Sequence, residues 1–288
     1  MWLALLLFLP FAARAADFAT LCGDRAAIER IYYEHRLGTK PPFDEAMPPS
    51  LVEKLIRDDL HKEAVLKKVY GIEITQAMLA AEVQRINATT RAPDVLDELK
   101  AALGNDTNRF AQTVARPIVV ERILRDKFEN DDVLHASQRD QAESIRTELL
   151  TAKTNVAGPD QLLTLFKRLG SHQVAETTWQ LGISPEERQI DSRALVEAQK
   201  QFGTNAQVLS TPHEEAGEPK FYFDDLPPEL QQVLRAQLRQ PGDVSAVIET
   251  PGGFLLYLCK EKTATTLSVA TLSIPKRSFE RWLAEQDQ

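Results

Sequence analysis

Few side chains in this chain are placed to do covalent or metal chemistry. Five histidines, at 35, 61, 135, 172 and 213, show no metal-ligand spacing. There is no nucleophile elbow, phosphate-binding loop or dinucleotide fingerprint. Two cysteines, Cys22 and Cys259, carry no spacing pattern. They fit either a bond between the start of the mature protein and the last hairpin, or two free thiols with Cys259 a small core residue. No cofactor and no metal are therefore expected. What the spacing does offer is apolar: Leu226, Leu230, Val233, Leu234 and Leu238 recur at helical intervals and make one hydrophobic face. Such a surface acts by burying apolar groups, not by moving protons.

The elements that must position this face follow from its flanks. Asp224 and Asp225 precede Leu226-Pro227-Pro228, and two prolines suit a first helical turn, where the missing N–H costs nothing. Pro241-Gly242 ends the helix. Val244 to Glu249 reads as a strand, Pro251-Gly252-Gly253 as a turn and Phe254 to Cys259 as a second, almost wholly apolar strand. Upstream, residues 24–150 read as successive helices. These are Asp24 to Leu37, then Leu51 to Gly71 with a Ser50/Glu53 capping box, then one capped by Thr75. After them come Leu96 to Leu103 and Arg109 to Arg125, the last kinked at Pro117. Ile72 to Ile74 is an extended piece between two of them. Between 131 and 220 the pattern is weaker: helices over Asp140 to Thr151 and Asp160 to Leu169, strand candidates Val174 and Trp179, and an exposed loop from Pro212 to Gly217. His135 reads as a surface histidine. Leu267 to Ile274 is a last strand. Ser278 caps a short helix whose face of Phe279, Trp282 and Leu283 must dock somewhere.

A formal net charge of −8 disfavours a nucleic-acid partner. No run of about 20 apolar residues follows the N-terminus, so no later membrane span is expected. Trp2 to Ala13 is an apolar run ending in Ala13-Arg14-Ala15, an A-x-A cleavage site, with no basic n-region. It reads as a signal peptide removed before Ala16, or else as a buried N-terminal helix. Leu21 before Cys22 argues against a lipoprotein anchor. The expected location is periplasmic or secreted.

Two resemblances attach to these residues. The helix followed by Pro241-Gly242-Asp243-Val244-Ser245, a strand, Gly253-Phe254 and a final strand resembles the C-terminal half of a parvulin-type (PpiC-like) peptidyl-prolyl isomerase domain. The order of a long helix, Tyr70-Gly71-Ile72-Glu73-Ile74-Thr75, a helix and Leu99-Lys100-Ala101-Ala102-Leu103-Gly104-Asn105-Asp106 is similar to the N-terminal domain of SurA-type periplasmic chaperones. Together they imply a mainly α N-terminal domain plus an α+β parvulin-like domain with a small antiparallel sheet. The implied division is a signal peptide over 1–15, a helical chaperone domain over 16–150, a degenerate parvulin-like domain over 151–265, and a C-terminal strand and helix over 266–288 that return to the helical domain. The parvulin resemblance places Leu226, Leu230 and Phe254 at the proline pocket, although each also fits plain core. It departs from the family at Leu255, where parvulins carry a histidine. Loss of one polar contributor there costs about 10- to 100-fold in rate.

The function implied is an exported folding factor, a parvulin-type prolyl isomerase fused to a chaperone domain. The alternative is a non-catalytic chaperone or binding module that keeps the parvulin-like domain as a scaffold. Both take unfolded or extended client polypeptides. A structural subunit of an envelope complex is a third, unrelated reading.

Overall fold

The computed structural model describes residues 17–155, 158–182 and 221–286. The expected signal peptide and the loop from Pro212 to Gly217 lie outside the described residues. The chain divides into two compact units, one of residues 1–130 with 278–288, the other of residues 131–277.

The first unit is helical: α1 (Phe18–Glu34), α2 (Phe43–Ala46), α3 (Pro49–Tyr70), α4 (Gln76–Thr89), α5 (Pro93–Ala102), α6 (Thr107–Phe110), α7 (Arg116–Glu129) and the C-terminal α11 (Phe279–Glu285). Its core includes Ile28, Leu96, Leu99, Leu103 and Phe110. Helix α3 begins one residue before the expected cap. Pro49 takes the first turn, for which its fixed φ is suited, and the Ser50/Glu53 capping box does not form. Glu53 instead reaches Arg57, one turn on. Thr75 caps α4 as expected, accepting from the Met78 N–H at 3.3 Å. Pro117 does not simply kink a helix. Ala111–Ala115, just ahead of it, is a turn of π-helix, closed by the Arg116 N–H on the Ala111 carbonyl.

Buried ions tie this unit together. Asp24, which the sequence suggested as a helix start, lies inside α1 with its carboxylate 5% exposed. Arg109 Nε donates to it at 3.2 Å and the Thr113 hydroxyl at 3.3 Å. Removing the guanidinium strands a buried carboxylate. Arg109→Ala is therefore expected to cost about 2–3 kcal/mol, read by urea denaturation. A loss below about 0.5 kcal/mol would show that Asp24 is solvated instead.

The second unit is α+β. Strands β1 (Val174–Gln180), β2 (Phe221–Tyr222), β3 (Ile248–Thr250), β4 (Gly253–Lys262) and β5 (Thr266–Pro275) form one sheet in the order β2-β1-β5-β4-β3. The expectation of an antiparallel sheet needs correction: the sheet is mixed, because β2 pairs with β1 in parallel. The remaining pairs are antiparallel. Period-two alternation sends successive residues of β4 to opposite faces. Phe254, Leu256 and Leu258 join α8 (Ala136–Thr154) and α9 (Pro159–Gly170) in one core. Tyr257 and Cys259 join α10 (Pro228–Gln237) in the other.

The motif at the end of α10 has a clear structural reason. Gly242 sits at φ +84°, a left-handed conformation that suits glycine, and gives its N–H to the Cys259 carbonyl at 2.8 Å. The Asp243 carboxylate accepts from the N–H groups of Arg239 and Gln240 at 2.8 and 2.9 Å and pairs with Lys153 at 2.6 Å. At Gly253 a Cβ would lie 2.4 Å from the Ile274 carbonyl oxygen, so the hairpin requires glycine. The expected strand from Val244 shortens to β3, and Val244 makes an isolated bridge to Leu258.

Two boundaries differ from those read in the sequence. Helix α8 carries Ala142, Ile145 and Leu149 onto the sheet, so the second unit starts at Asp131 and not near 151. Strand β5 lies between β1 and β4 in the sheet, so only residues from Ser278 onward belong to the helical unit.

Candidate functional site

In the second unit, α10 is delivered to the sheet by a tight lead-in. Phe223 is fully buried, with the Arg235 guanidinium 4.8 Å from its ring and Asp224 pairing that arginine at 3.1 Å. Gln231 Nε2 donates to the Leu226 carbonyl at 2.7 Å and holds the turn ahead of Pro227-Pro228. This fixes Leu226 and Leu230 as half-buried side chains beside Trp179, Phe223, Leu234 and Tyr257. Leu255 and Ile248 belong to the same cluster and are directly paired across β3 and β4.

Phe254 does not join them. It is 1% exposed and packs on the opposite face with Phe166, Leu162 and Ile274. Above its ring lie Arg139 and Lys276, 5.5 and 5.6 Å from the centroid. Both cations bind Glu249, each at 2.6 Å. Burial works against the charge of that carboxylate, but its hydrogen bonds to Lys276 and Arg139 outweigh burial and hold it below the usual range. The expected pocket of Leu226, Leu230 and Phe254 is thus split by the pleat. Its first two members pack against the same cluster as Leu255, the position where the parvulin pattern has histidine.

His135, expected at the surface, is buried, and the Arg277 N–H faces its Nδ1 at 3.4 Å. The polar group that sequence reading missed is Tyr257, two residues beyond Leu255 on the same face of β4. Burial pushes its phenol up, so it stays protonated at neutral pH. Cys22 and Cys259 are free thiols, and burial raises that of Cys259 to about 11. The Cys259 thiol therefore stays protonated at neutral pH.

The helical unit holds a groove of about 610 Å³. Ile56, Leu60 and Ala64 of α3 line one side, with Ile72 and Ile74 of the extended link, Leu21 of α1, and Pro117 and Val120 of α7 completing the apolar lining. The π-turn brings Gln112 and Thr113 to it, and Arg116 follows. Arg116 Nε pairs with Glu63 at 2.7 Å, and Lys67 pairs with Glu73 at 2.7 Å. The sequence signal for this groove was the helical stripe of α3 together with Ile72 and Ile74. The groove itself was not legible, because nothing in a single helix shows which part of its apolar stripe stays uncovered.

No group of histidine, cysteine, aspartate and glutamate side chains among the described residues could hold a metal ion. No helix among them is long and apolar enough to cross a membrane. No family model, curated protein or solved structure matches the chain.

Proposed function

We propose that this protein is an exported folding factor that holds extended, unfolded polypeptides in the groove of its helical unit. Its sheet unit serves as a parvulin-like scaffold with little or no proline turnover. The observation that carries the reading is Leu255. It occupies the histidine position of the parvulin pattern and lies in an apolar cluster with Leu226, Leu230 and Ile248. A catalyst of prolyl rotation must favour the twisted amide over the planar one. Leu255 can neither donate nor accept a hydrogen bond. The groove needs neither ability, since exposed apolar surface suffices to hold a chain.

Weak isomerase activity is the second reading, favoured by the hydroxyl that Tyr257 brings to the same cluster.

Two measurements separate the readings. The chain should suppress aggregation of an unfolded test protein, and Leu60→Lys should weaken that effect. Leu60 is 44% exposed and lines the groove, so a charge there blocks binding with little cost in stability. In a proline-peptide assay the chain should run about 10- to 100-fold below a histidine-bearing parvulin, and Leu255→His should raise the rate. Wild-type turnover at the rate of such a parvulin would overturn the scaffold reading. Unchanged aggregation in the presence of the wild-type chain would overturn the holding reading.

A further inference from the structure

We propose that the groove of the helical unit is selective for extended segments in which a basic side chain accompanies the apolar ones, and that this basic side chain is seated on Asp59. The proposal rests on the client-holding reading and narrows its substrate class. Three carboxylates line the groove. Glu63 has its own cation in Arg116, with Nε at 2.7 Å, and Glu73 has Lys67 at 2.7 Å. Asp59 shares one. Arg25 reaches it only at 3.5 Å while giving its Nε to Glu29 at 2.8 Å. Lys62, the other cation near it, is engaged by Glu121 at 2.7 Å. The Asp59 side chain is 23% exposed. Burial pushes its carboxyl above the usual range, more than Arg25 and Lys62 pull it down. The groove wall therefore carries a charge that its own residues compensate poorly. A lysine or arginine arriving from solvent would complement it, with its aliphatic stem lying along Ile56 and Leu60.

The backbone beside the groove points to a polypeptide as the source of that cation. Residues 71–75 are neither helix nor strand. Among the described residues the N–H groups of Glu73 and Ile74 have no hydrogen-bond partner. An extended peptide laid along them would use its own carbonyls, place alternate side chains in the groove and bring a basic residue to Asp59. A lipid tail would leave those N–H groups and Asp59 as they are.

The test uses the full chain and short labelled peptides of one alternating Leu–Thr pattern, differing only in a central Lys, Gln or Glu. Fluorescence anisotropy should rank them Lys, Gln, Glu, with Lys over Gln about fivefold. Asp59→Asn should bring the Lys-to-Gln ratio close to one. Arg25→Gln, which removes the competing cation, should raise the ratio above that of wild type, a gain that damage to the fold would not produce. Equal affinities of the Lys and Gln peptides for the wild-type chain would overturn the proposal. So would a ratio that neither variant changes. If none of the peptides binds the wild-type chain, the holding reading itself fails and the selectivity with it.

Discussion

Phe254→Ala is expected to destabilise the sheet unit by about 3–5 kcal/mol, the range for removing a buried aromatic side chain. The residue is fully enclosed between β4 and the helices α8 and α9. Its loss opens a cavity against Phe166, Leu162 and Ile274, and also removes the ring beneath Arg139 and Lys276. Both cations keep Glu249, so the ion cluster offsets little of the loss. Urea denaturation followed by a probe in the sheet unit reads the effect. Leu230→Ala is the matched control, since Leu230 is only half-buried and should cost about 1–2 kcal/mol. If the two substitutions cost the same small amount, Phe254 lies in an open pocket after all.

Trp282→Ala is expected to cost the helical unit about 3–5 kcal/mol. Trp282 is 4% exposed, with ring centroids of Phe128, Phe279 and Tyr70 at 5.0, 5.8 and 6.1 Å. Phe279 meets Phe128 edge-on at 5.3 Å and lies 4.1 Å under the Arg125 guanidinium. Helix α11 is too short to persist alone, so these contacts are what hold it. Without the indole the segment from Ser278 should be released, and limited proteolysis should cut it ahead of the rest of the unit. A variant with wild-type melting temperature and wild-type resistance at this segment would show that the helix is not anchored there.

Most helices were legible because each carries its own punctuation. Gly71 ends α3 in a left-handed conformation, Thr75 caps α4 and Ser278 caps α11. The docking face of Phe279 and Trp282 was legible for the same reason, since an apolar stripe on a short helix requires a partner. What stayed hidden depends on contacts distant in sequence. The parallel β1–β2 pair joins Trp179 to Phe221 across some forty residues, and no local pattern specifies such a pairing. The separation of Phe254 from Leu226 and Leu230 is a one-residue question: the turn residues located β4, but its pleat decides which of Phe254 and Leu255 faces α10. Asp24 looked like a helix start because aspartate favours such positions. Its partner Arg109 is far along the chain, and that pairing keeps it inside α1.

The Arg277 N–H facing His135 Nδ1 has a consequence for how the chain is assembled. It brings the entrance and the exit of the sheet unit to one place, so residues 131–277 are inserted into the helical unit as a module whose two ends already meet. Joining the two chain segments of the helical unit across such a module costs little chain entropy, because the span to be bridged is short however many residues lie within it. An evolving or engineered host could therefore exchange this module for another with equally close ends, and the groove would keep its own framework.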